Sequence, residues 1–137
     1  MIRFLSENIG LPAINQALVT DWIRQVAAKY KKKPGEINYM FCNDERILEV
    51  NKQFLQHDFY TDIITFDYSS SSIISGDIYI SIDTVASNSK TLGISFETEL
   101  HRVIIHGILH LCGFGDKTPE EEKAMHKRED EALQLLH

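Results

Sequence analysis

The sequence predicts an α+β fold, a single domain in which a small mixed sheet of about four strands packs against about five helices. The chain has 137 residues, 43% hydrophobic and 25% charged, which is enough to bury a core without disulfides. Short β-branched segments and longer segments with helical periodicity follow one another in the order β-α-β-α-β-β-α-α-α. No repeat or linker divides the chain, so residues 1–137 are interpreted as one domain.

The first half of the chain contains two predicted strands and two predicted helices. Ile2 to Leu5 indicates a short strand, and Pro12 opens a helix that Pro34-Gly35 ends. The apolar face of that helix is formed by Leu18, Trp22, Ile23, Val26, Ala27 and Tyr30. The next strand is half-buried and shows the alternating residues Ile37, Tyr39 and Phe41. Asn43 caps a second helix, whose inward side chains are Ile47, Val50 and Phe54.

The middle of the chain predicts two further strands. The segments 63–68 and 78–82 are rich in β-branched and aromatic residues, as strands are. Ser69 to Ser72 forms a polar loop between them, to which no function is assigned. A helix is expected from Asp83 to Leu92, where Gly93 ends it.

Two helices with clear capping signals complete the chain. Ser95 caps a helix that runs to about Leu111, and Gly113 is placed as its left-handed terminator. The last helix begins after Thr118, with a proline at its first position and Glu121 three residues beyond the cap. That arrangement is a capping box with an N1 proline.

Charge and cysteine content limit the class of protein. The net charge of −6 disfavours broad electrostatic binding to nucleic acid, DNA included, and the run Lys29 with Lys31 to Lys33 is interpreted as a solvated helix end. Two cysteines, Cys42 and Cys112, suit a reducing compartment. No segment reaches the about 20 apolar residues of a membrane helix, and no signal-peptide cleavage site is present. We therefore expect a cytoplasmic protein without a membrane partner.

Two histidines at helical spacing form the centre of a predicted metal site. His106 and His110 are four residues apart, so they project from one helix face about 6 Å apart along the axis. Gly113 lets the chain reverse, and Asp116 can then reach the same ion. This is the spacing of the elongated zincin motif H-E-x-x-H-x-x-G-x-x-H, with Gly107 replacing its Glu and Asp116 its third His. We predict one Zn²⁺ per chain, or another divalent transition metal, held by His106, His110 and Asp116.

Other potential ligands are interpreted as structural residues. Cys112 is a soft ligand in principle, but a small buried residue near a helix end is the favoured interpretation. His101 points away from the ligand face and is taken as a surface residue or a neighbour of the site. His126 and His137 are expected to be exposed, and His57 is left open as a residue that lines the site.

Three protein ligands leave a fourth position open, which characterises catalytic rather than structural zinc. The ion would lower the pKa of a bound water toward about 7. Because one ligand is a carboxylate, the site keeps one positive charge instead of two, and that water should be less acidic. No catalytic group beyond this metal-bound water is identified, since Gly107 removes the helix-borne base. Asp62 and Asp77 are alternatives, although a strand-end Asp more often caps the backbone.

Three separate motifs give the chain a resemblance to a known family. His106-Gly107-x-Leu109-His110-Leu111-x-Gly113-Phe114 resembles the signature of the YbeY family of bacterial metal-dependent endoribonucleases. Thr61-Asp62-x-x-x-Phe66 resembles the family's T-D-V-L-S-F strand, and Gly76-Asp77-Ile78-x-Ile80-Ser81 its G-D-I-x-I-S strand. Asn51 lies where the family's N-x-x-Y/F-R motif has its asparagine. The motifs occur in order, and the resemblance covers nearly the whole chain.

The resemblance implies a single-strand-specific endoribonuclease that acts in 16S rRNA 3′-end maturation and ribosome quality control. Its implied partners are single-stranded ribosomal RNA and proteins of the small ribosomal subunit. Candidate substrate-binding residues are Asn51 and Thr61, which lie in the matching motifs, and Lys52. The attacking group is either the metal-bound water or the RNA 2′-hydroxyl.

The chain departs from the family pattern at two positions. The usual G-Y-D-H ending supplies a histidine as third ligand, whereas this chain has Asp116 there. After Asn51 the family has an arginine, which would bind a phosphate through two hydrogen bonds, and this chain has Leu55. Lys52 and the Lys31 to Lys33 run are the available replacement cations.

Two other functions are compatible with the sequence. A metalloprotease-like hydrolase would share the ligand spacing, but the missing Glu is the protease's general base. A non-catalytic ribosome-assembly factor would keep the metal for structure, and its negative charge would suit a protein partner that positions the RNA.

Overall fold

A four-stranded mixed sheet of order β1-β2-β4-β3 organises the computed structural model, which describes residues 1–55 and 61–136. The strands are β1 (Ile2–Ser6), β2 (Lys33–Cys42), β3 (Ile63–Asp67) and β4 (Ile73–Ser81). β1, β2 and β4 are parallel, and β3 pairs antiparallel with β4. The predicted α+β fold is confirmed. The order of the strands in the sheet was not predicted, because local sequence patterns do not determine it.

Five helices surround this sheet in the described part of the chain. They are α1 (Gln16–Lys29), α2 (Asp44–Val50), α3 (Ile82–Leu92), α4 (Phe96–Leu111) and α5 (Pro119–Leu135). A short π-helical segment, Asn51–Leu55, continues α2. No described helix has the length and apolar character that crossing a membrane requires.

Side-chain caps define where each helix begins. The N-cap side chains of Asn43, Ser95 and Thr118 each accept a hydrogen bond from a main-chain N–H in the first turn. Glu121 returns the bond at Thr118, which completes the predicted capping box. Local chemistry therefore sets the start of α4 and α5, the two helices that carry the candidate site.

Helix α4 lies at the centre of the molecule, where it contacts α1, α3, α5 and strands β3 and β4. Ile37, Tyr39 and Phe41 of β2 are fully buried, as predicted from their alternation. The Tyr39 hydroxyl donates to the carbonyl of Ile104 in α4 at 2.8 Å. Trp22 of α1 donates its Nε1–H to the carbonyl of Ala132 in α5 at 2.7 Å. These buried bonds connect the sheet and the helices around α4.

Gly107 explains how closely α4 approaches the sheet. A Cβ atom at this position would lie 3.0 Å from Ile78 Cδ1 and 3.2 Å from Ile63 Cδ1. The residue is buried and faces β3 and β4, so any residue with a Cβ would displace these neighbours more than glycine does. A glutamate here would be forced into the core, which is why the zincin base has no counterpart at Gly107.

Several predicted boundaries in the first half of the chain are wrong. Helix α1 begins at Gln16 instead of near Pro12, because Asn15 provides the N-cap by accepting from Leu18 N. Leu18, predicted to lie on the apolar face, is 48% exposed, and the buried face begins with Val19. Pro34-Gly35 does not end the helix but belongs to β2, next to an irregularity in its pairing with β4.

Two predictions for the middle of the chain also differ from the structure. Phe54 is 56% exposed instead of inward, because the π-helical segment changes the residue spacing after α2. Strand β4 begins at Ile73, so it is longer than the predicted segment, and Ile82 belongs to α3. The side chain of Leu55 and residues 56–60 lie outside the described part of the chain.

Candidate metal centre

The last turns of α4 and the loop after it bring the three predicted ligands together. His106 and His110 lie on one face of α4, and Gly113, with φ of 103°, reverses the chain after the helix. Asp116 then returns toward both rings, with Oδ2 3.2 Å from His106 Nε2 and 3.4 Å from His110 Nε2. One potential ligand atom from each residue lies within 4.8 Å of the other two.

These separations fit the donor set of a tetrahedral transition-metal site. Zinc–nitrogen and zinc–oxygen bonds of about 2.0–2.1 Å place neighbouring ligand atoms of a tetrahedron roughly 3.3 Å apart. The two distances to Asp116 Oδ2, 3.2 and 3.4 Å, bracket that value. The imidazole and carboxylate donors suit zinc and other first-row divalent metals, so the residues present fit the implied ion.

The second ring nitrogen of His106 contacts a carboxylate that the sequence prediction missed. His106 Nδ1 lies 2.7 Å from Oε2 of Glu129, a residue of α5. When Nδ1 carries a proton and donates to Glu129, Nε2 of a neutral ring presents a lone pair to Asp116 Oδ2. Two acceptors this close together favour the binding of a cation between them, either a proton or a metal ion. Burial alone would lower the pKa of His106, but Glu129, Asp116 and Asp62 raise it.

Glu129 is itself held by two further side chains. The residue is 2% exposed, and its Oε1 lies 3.2 Å from Arg102 Nη1 and 3.3 Å from His126 Nδ1. Burial would raise the pKa of Glu129, yet His106 and Arg102 lower it. A signal for this residue exists in the sequence, because Glu129 shares the buried face of α5 with Met125 and Ala132 at four- and three-residue spacing.

A cavity of about 850 Å³ opens beside the three ligands. Asn51, Thr61 and Asp62 line it, and Asn51 is only 2% exposed. The Thr61 hydroxyl donates to the carbonyl of Ile63 at 3.3 Å. Lys52 is exposed and is not among the described residues that line the cavity. Two of the three predicted substrate-binding residues therefore lie at the cavity wall.

The two alternative bases border different cavities. Asp62 shares the cavity with the ligands, and burial raises its pKa against the opposing effect of His106. Asp77 accepts from Asn38 Nδ2 at 3.0 Å and borders a separate surface depression with Leu5 and Met40. The alternative that used Asp77 as a base is therefore wrong.

The predicted cations also lie away from the cavity. Lys29 pairs with Glu131 at 2.7 Å, and Lys32 donates to the carbonyl of Ser71 at 2.6 Å. Lys31 to Lys33 do not line the cavity, within the residues that the structure describes. Lys117 is exposed and does line it, next to the ligand Asp116. Lys117 was not predicted from the sequence, although it directly follows the predicted ligand Asp116.

Some predictions for the remaining histidines and for Cys112 are confirmed, and one is wrong. The surface interpretation of His101 is wrong, since this residue is 8% exposed and its ring packs edge-on against Trp22. His126 is exposed as predicted, although it contacts Glu129. Cys112 is half-buried, is not part of the ligand cluster, and burial raises its pKa to about 11. His57 and His137 lie outside the described residues.

An α+β fold with a His-His-Asp cluster at the end of a central helix has the features of a metal-dependent hydrolase. A model of the family described as Endoribonuclease YbeY matches residues 2–137. The Endoribonuclease YbeY of Parabacteroides distasonis is 56% identical over 135 residues, covering 98% of this chain and 95% of that protein. That of Bacteroides thetaiotaomicron is 52% identical over 134 residues, covering 98% of each.

A solved structure shows the same architecture. The solution structure of a Thermotoga maritima protein superposes with a TM-score of 0.66 at 30% identity, covering 98% of this chain and 90% of that chain. Together with the family match, this similarity means that the chain belongs to the endoribonuclease YbeY family. The resemblance drawn from the three sequence motifs is confirmed.

Proposed function

We propose that this protein is a metal-dependent endoribonuclease, a hydrolase that cleaves phosphodiester bonds within RNA. The observation that carries the proposal is the convergence of His106, His110 and Asp116 at the wall of the cavity, in a chain of the endoribonuclease YbeY family. A cavity of about 850 Å³ lies within the range of ligand-binding sites. Residues 1–137 act as a single catalytic domain in this proposal.

The proposed ligand set is His106, His110 and Asp116, with Zn²⁺ or another divalent transition metal as the ion, one per chain. When bound, the ion supplies Lewis acidity that polarises a phosphoryl oxygen and makes a water molecule more acidic. The side-chain exposures of His106, His110 and Asp116 are 18%, 31% and 35%, so the ligands can be reached from the cavity. An accessible ligand set suits a catalytic role better than a purely structural one.

Asp62 is the proposed proton acceptor. It lines the cavity, it lies within electrostatic range of His106, and its burial favours a carboxylate that takes up a proton more readily than an exposed one. Gly107 faces the sheet and cannot support a base on α4. Asp62 would remove the proton of the attacking group, whether a water molecule or the RNA 2′-hydroxyl.

Asn51, Thr61 and Lys117 are the proposed contacts to RNA. Asn51 and Thr61 supply amide and hydroxyl groups at the cavity wall, and Lys117 supplies a cation for a phosphate. Lys117 would take over part of the role of the arginine that Leu55 replaces, with exposed Lys52 as an outer contact. The proposed substrate is single-stranded ribosomal RNA in the cytoplasm, at the 3′ end of 16S rRNA, with small-subunit proteins as partners in ribosome quality control.

The test pairs metal content with cleavage. We expect purified wild type to contain one divalent metal per chain by elemental analysis and to cleave a single-stranded 16S rRNA 3′-end substrate, but not its duplex form. His110→Ala should lose the metal, and its cleavage rate should fall by more than about 100-fold, beyond the loss typical of removing a residue that only orients a ligand. Chelator should have the same effect on wild type.

Cys112→Ala is the matched control, because Cys112 ends the same helix outside the ligand cluster and its removal should leave metal and cleavage unchanged. Cleavage that survives both chelator and His110→Ala would refute the proposal. Hydrolysis of casein in place of RNA would favour the metalloprotease-like alternative. Unfolding on metal removal, with no cleavage by the intact protein, would favour a ribosome-assembly factor with a structural metal.

A further inference from the structure

We propose that Glu129 is a positioning residue that prepares the metal centre before any ion arrives. Its carboxylate holds the proton of His106 on Nδ1, so that the Nε2 lone pair is directed to the point where His110 and Asp116 converge. The proposal rests on the ligand set put forward above, but it concerns the protein without metal. None of the three sequence motifs includes Glu129, which belongs to another helix.

The contact between His106 and Glu129 is short and shielded from solvent. His106 Nδ1 and Glu129 Oε2 are 2.7 Å apart, and the side chains are 18% and 3% exposed. Water therefore competes poorly for either group, and the charge-assisted bond is stronger than the same pair would form at the surface. A histidine ring with one nitrogen fixed in this way has one tautomer and one orientation.

The two oxygens of Glu129 have separate partners. Arg102 Nη1 at 3.2 Å and His126 Nδ1 at 3.3 Å both contact Oε1. Only Oε2 faces His106. Arg102 and His126 hold Oε1 independently of His106. The carboxylate of Glu129 is therefore positioned by other side chains and can orient the imidazole ring. Arg102 belongs to α4, the helix that carries His106, so Glu129 connects α5 to α4 at two positions, Arg102 and His106.

Asp130 provides a matched control for this network. It is the next residue of α5, it contacts the same Arg102 at 3.0 Å, and its side chain is 62% exposed. No described contact links it to His106. Glu129→Gln and Asp130→Asn remove the same charge from adjacent positions and both weaken a bond to Arg102. They differ in whether His106 loses its carboxylate partner.

The first measurement is the affinity of the metal-free protein for Zn²⁺, by competition with a chromophoric chelator. We expect Glu129→Gln to weaken binding by about 10- to 100-fold, the range found when a carboxylate behind a metal-bound histidine is removed. Asp130→Asn should change it by less than about 2-fold, since exposed charges act weakly at a distance. Glu129→Asp keeps the charge but shortens the side chain, and should fall between wild type and Glu129→Gln.

The second measurement needs no metal. Nitrogen-15 NMR of the imidazoles, recorded at increasing pH until the rings are neutral, distinguishes the two neutral tautomers. We expect His106 of metal-free wild type to carry its proton on Nδ1, and Glu129→Gln to populate both tautomers. Circular dichroism shows whether each variant is folded. If Glu129→Gln does not fold, the wild-type spectrum alone decides the matter.

Two results would overturn the proposal: a neutral His106 that carries its proton on Nε2 in metal-free wild type, or wild-type Zn²⁺ affinity in folded Glu129→Gln. Other results would refute the proposed metal ligands without refuting the role of Glu129. If wild type bound no Zn²⁺, or His110→Ala bound it as tightly as wild type, the metal site proposed above would fall. The tautomer of His106 would still show whether Glu129 orients the ring.

Discussion

Asp116 makes the candidate centre less positive than a three-histidine site, and this has a measurable consequence. Replacing Asp116 by His removes one negative charge from the ligand set. A group bound at the open position would then lose its proton at lower pH. The acid limb of the pH–rate profile of RNA cleavage should therefore move to lower pH in Asp116→His.

The size of the shift follows from distance and exposure. Neighbouring ligand atoms of a tetrahedral site are roughly 3.3 Å apart. Over that distance one unit charge contributes about 5 kcal/mol at an effective dielectric of 20, and about 1.3 kcal/mol at the dielectric of water. The Asp116 side chain is 35% exposed, which places the site nearer the aqueous limit. We therefore expect a shift of at least about 1 pH unit, since 1.36 kcal/mol corresponds to one pKa unit.

The assay is cleavage of a single-stranded RNA under kcat/KM conditions across the pH range, with metal content measured at each pH. Asp130→Asn changes the net charge by the same amount at an exposed position away from the ligands, and its profile should stay in place. An acid limb that does not move in fully loaded Asp116→His would refute the reasoning. So would an equal shift in Asp130→Asn, because the effect would then come from net charge.

Three further predictions concern the cavity and the scaffold around it. Gly76→Ala should lower the free energy of unfolding by about 1–3 kcal/mol in urea titration, because the added Cβ would overlap a main-chain carbonyl oxygen of β3. Gly10→Ala is the control and should change the free energy of unfolding little, because no atom lies within 4 Å of the added Cβ. Thr118→Ala should cost about 1 kcal/mol through loss of the capping box, and an unchanged urea midpoint would contradict that role. Lys117→Ala should weaken RNA binding and reduce the salt dependence of log Kd by about one unit, whereas an unchanged slope would remove Lys117 from the phosphate contacts.

The ligand cluster could be predicted from the sequence because its geometry is local. His106, His110 and Asp116 lie within eleven consecutive positions, and the helical repeat with a positive-φ glycine determines how they converge. The helix starts at Asn43 and Thr118 were predictable for the same reason, since a cap involves residues only three apart.

Features that depend on tertiary contacts were not predictable in this way. The bond between Glu129 and His106 spans 23 residues and exists because α5 packs on α4. The strand order depends on pairings between β2 and β4, which are distant in sequence. Pro34 illustrates the conflict directly, because its local preference is to end a helix, and the sheet incorporates it at the irregular start of β2.

The separation of His106 and Glu129 along the chain also affects the order in which the centre is built during synthesis. At about 5–20 residues per second, the ribosome takes about 1–5 s to add the 23 residues from Gly107 to Glu129. During that interval Asp116 is added to the chain while Glu129, the partner of His106, is still missing. A nascent chain therefore contains the proposed ligands before it contains Glu129, and the contact between His106 and Glu129 forms only when α5 has docked on α4.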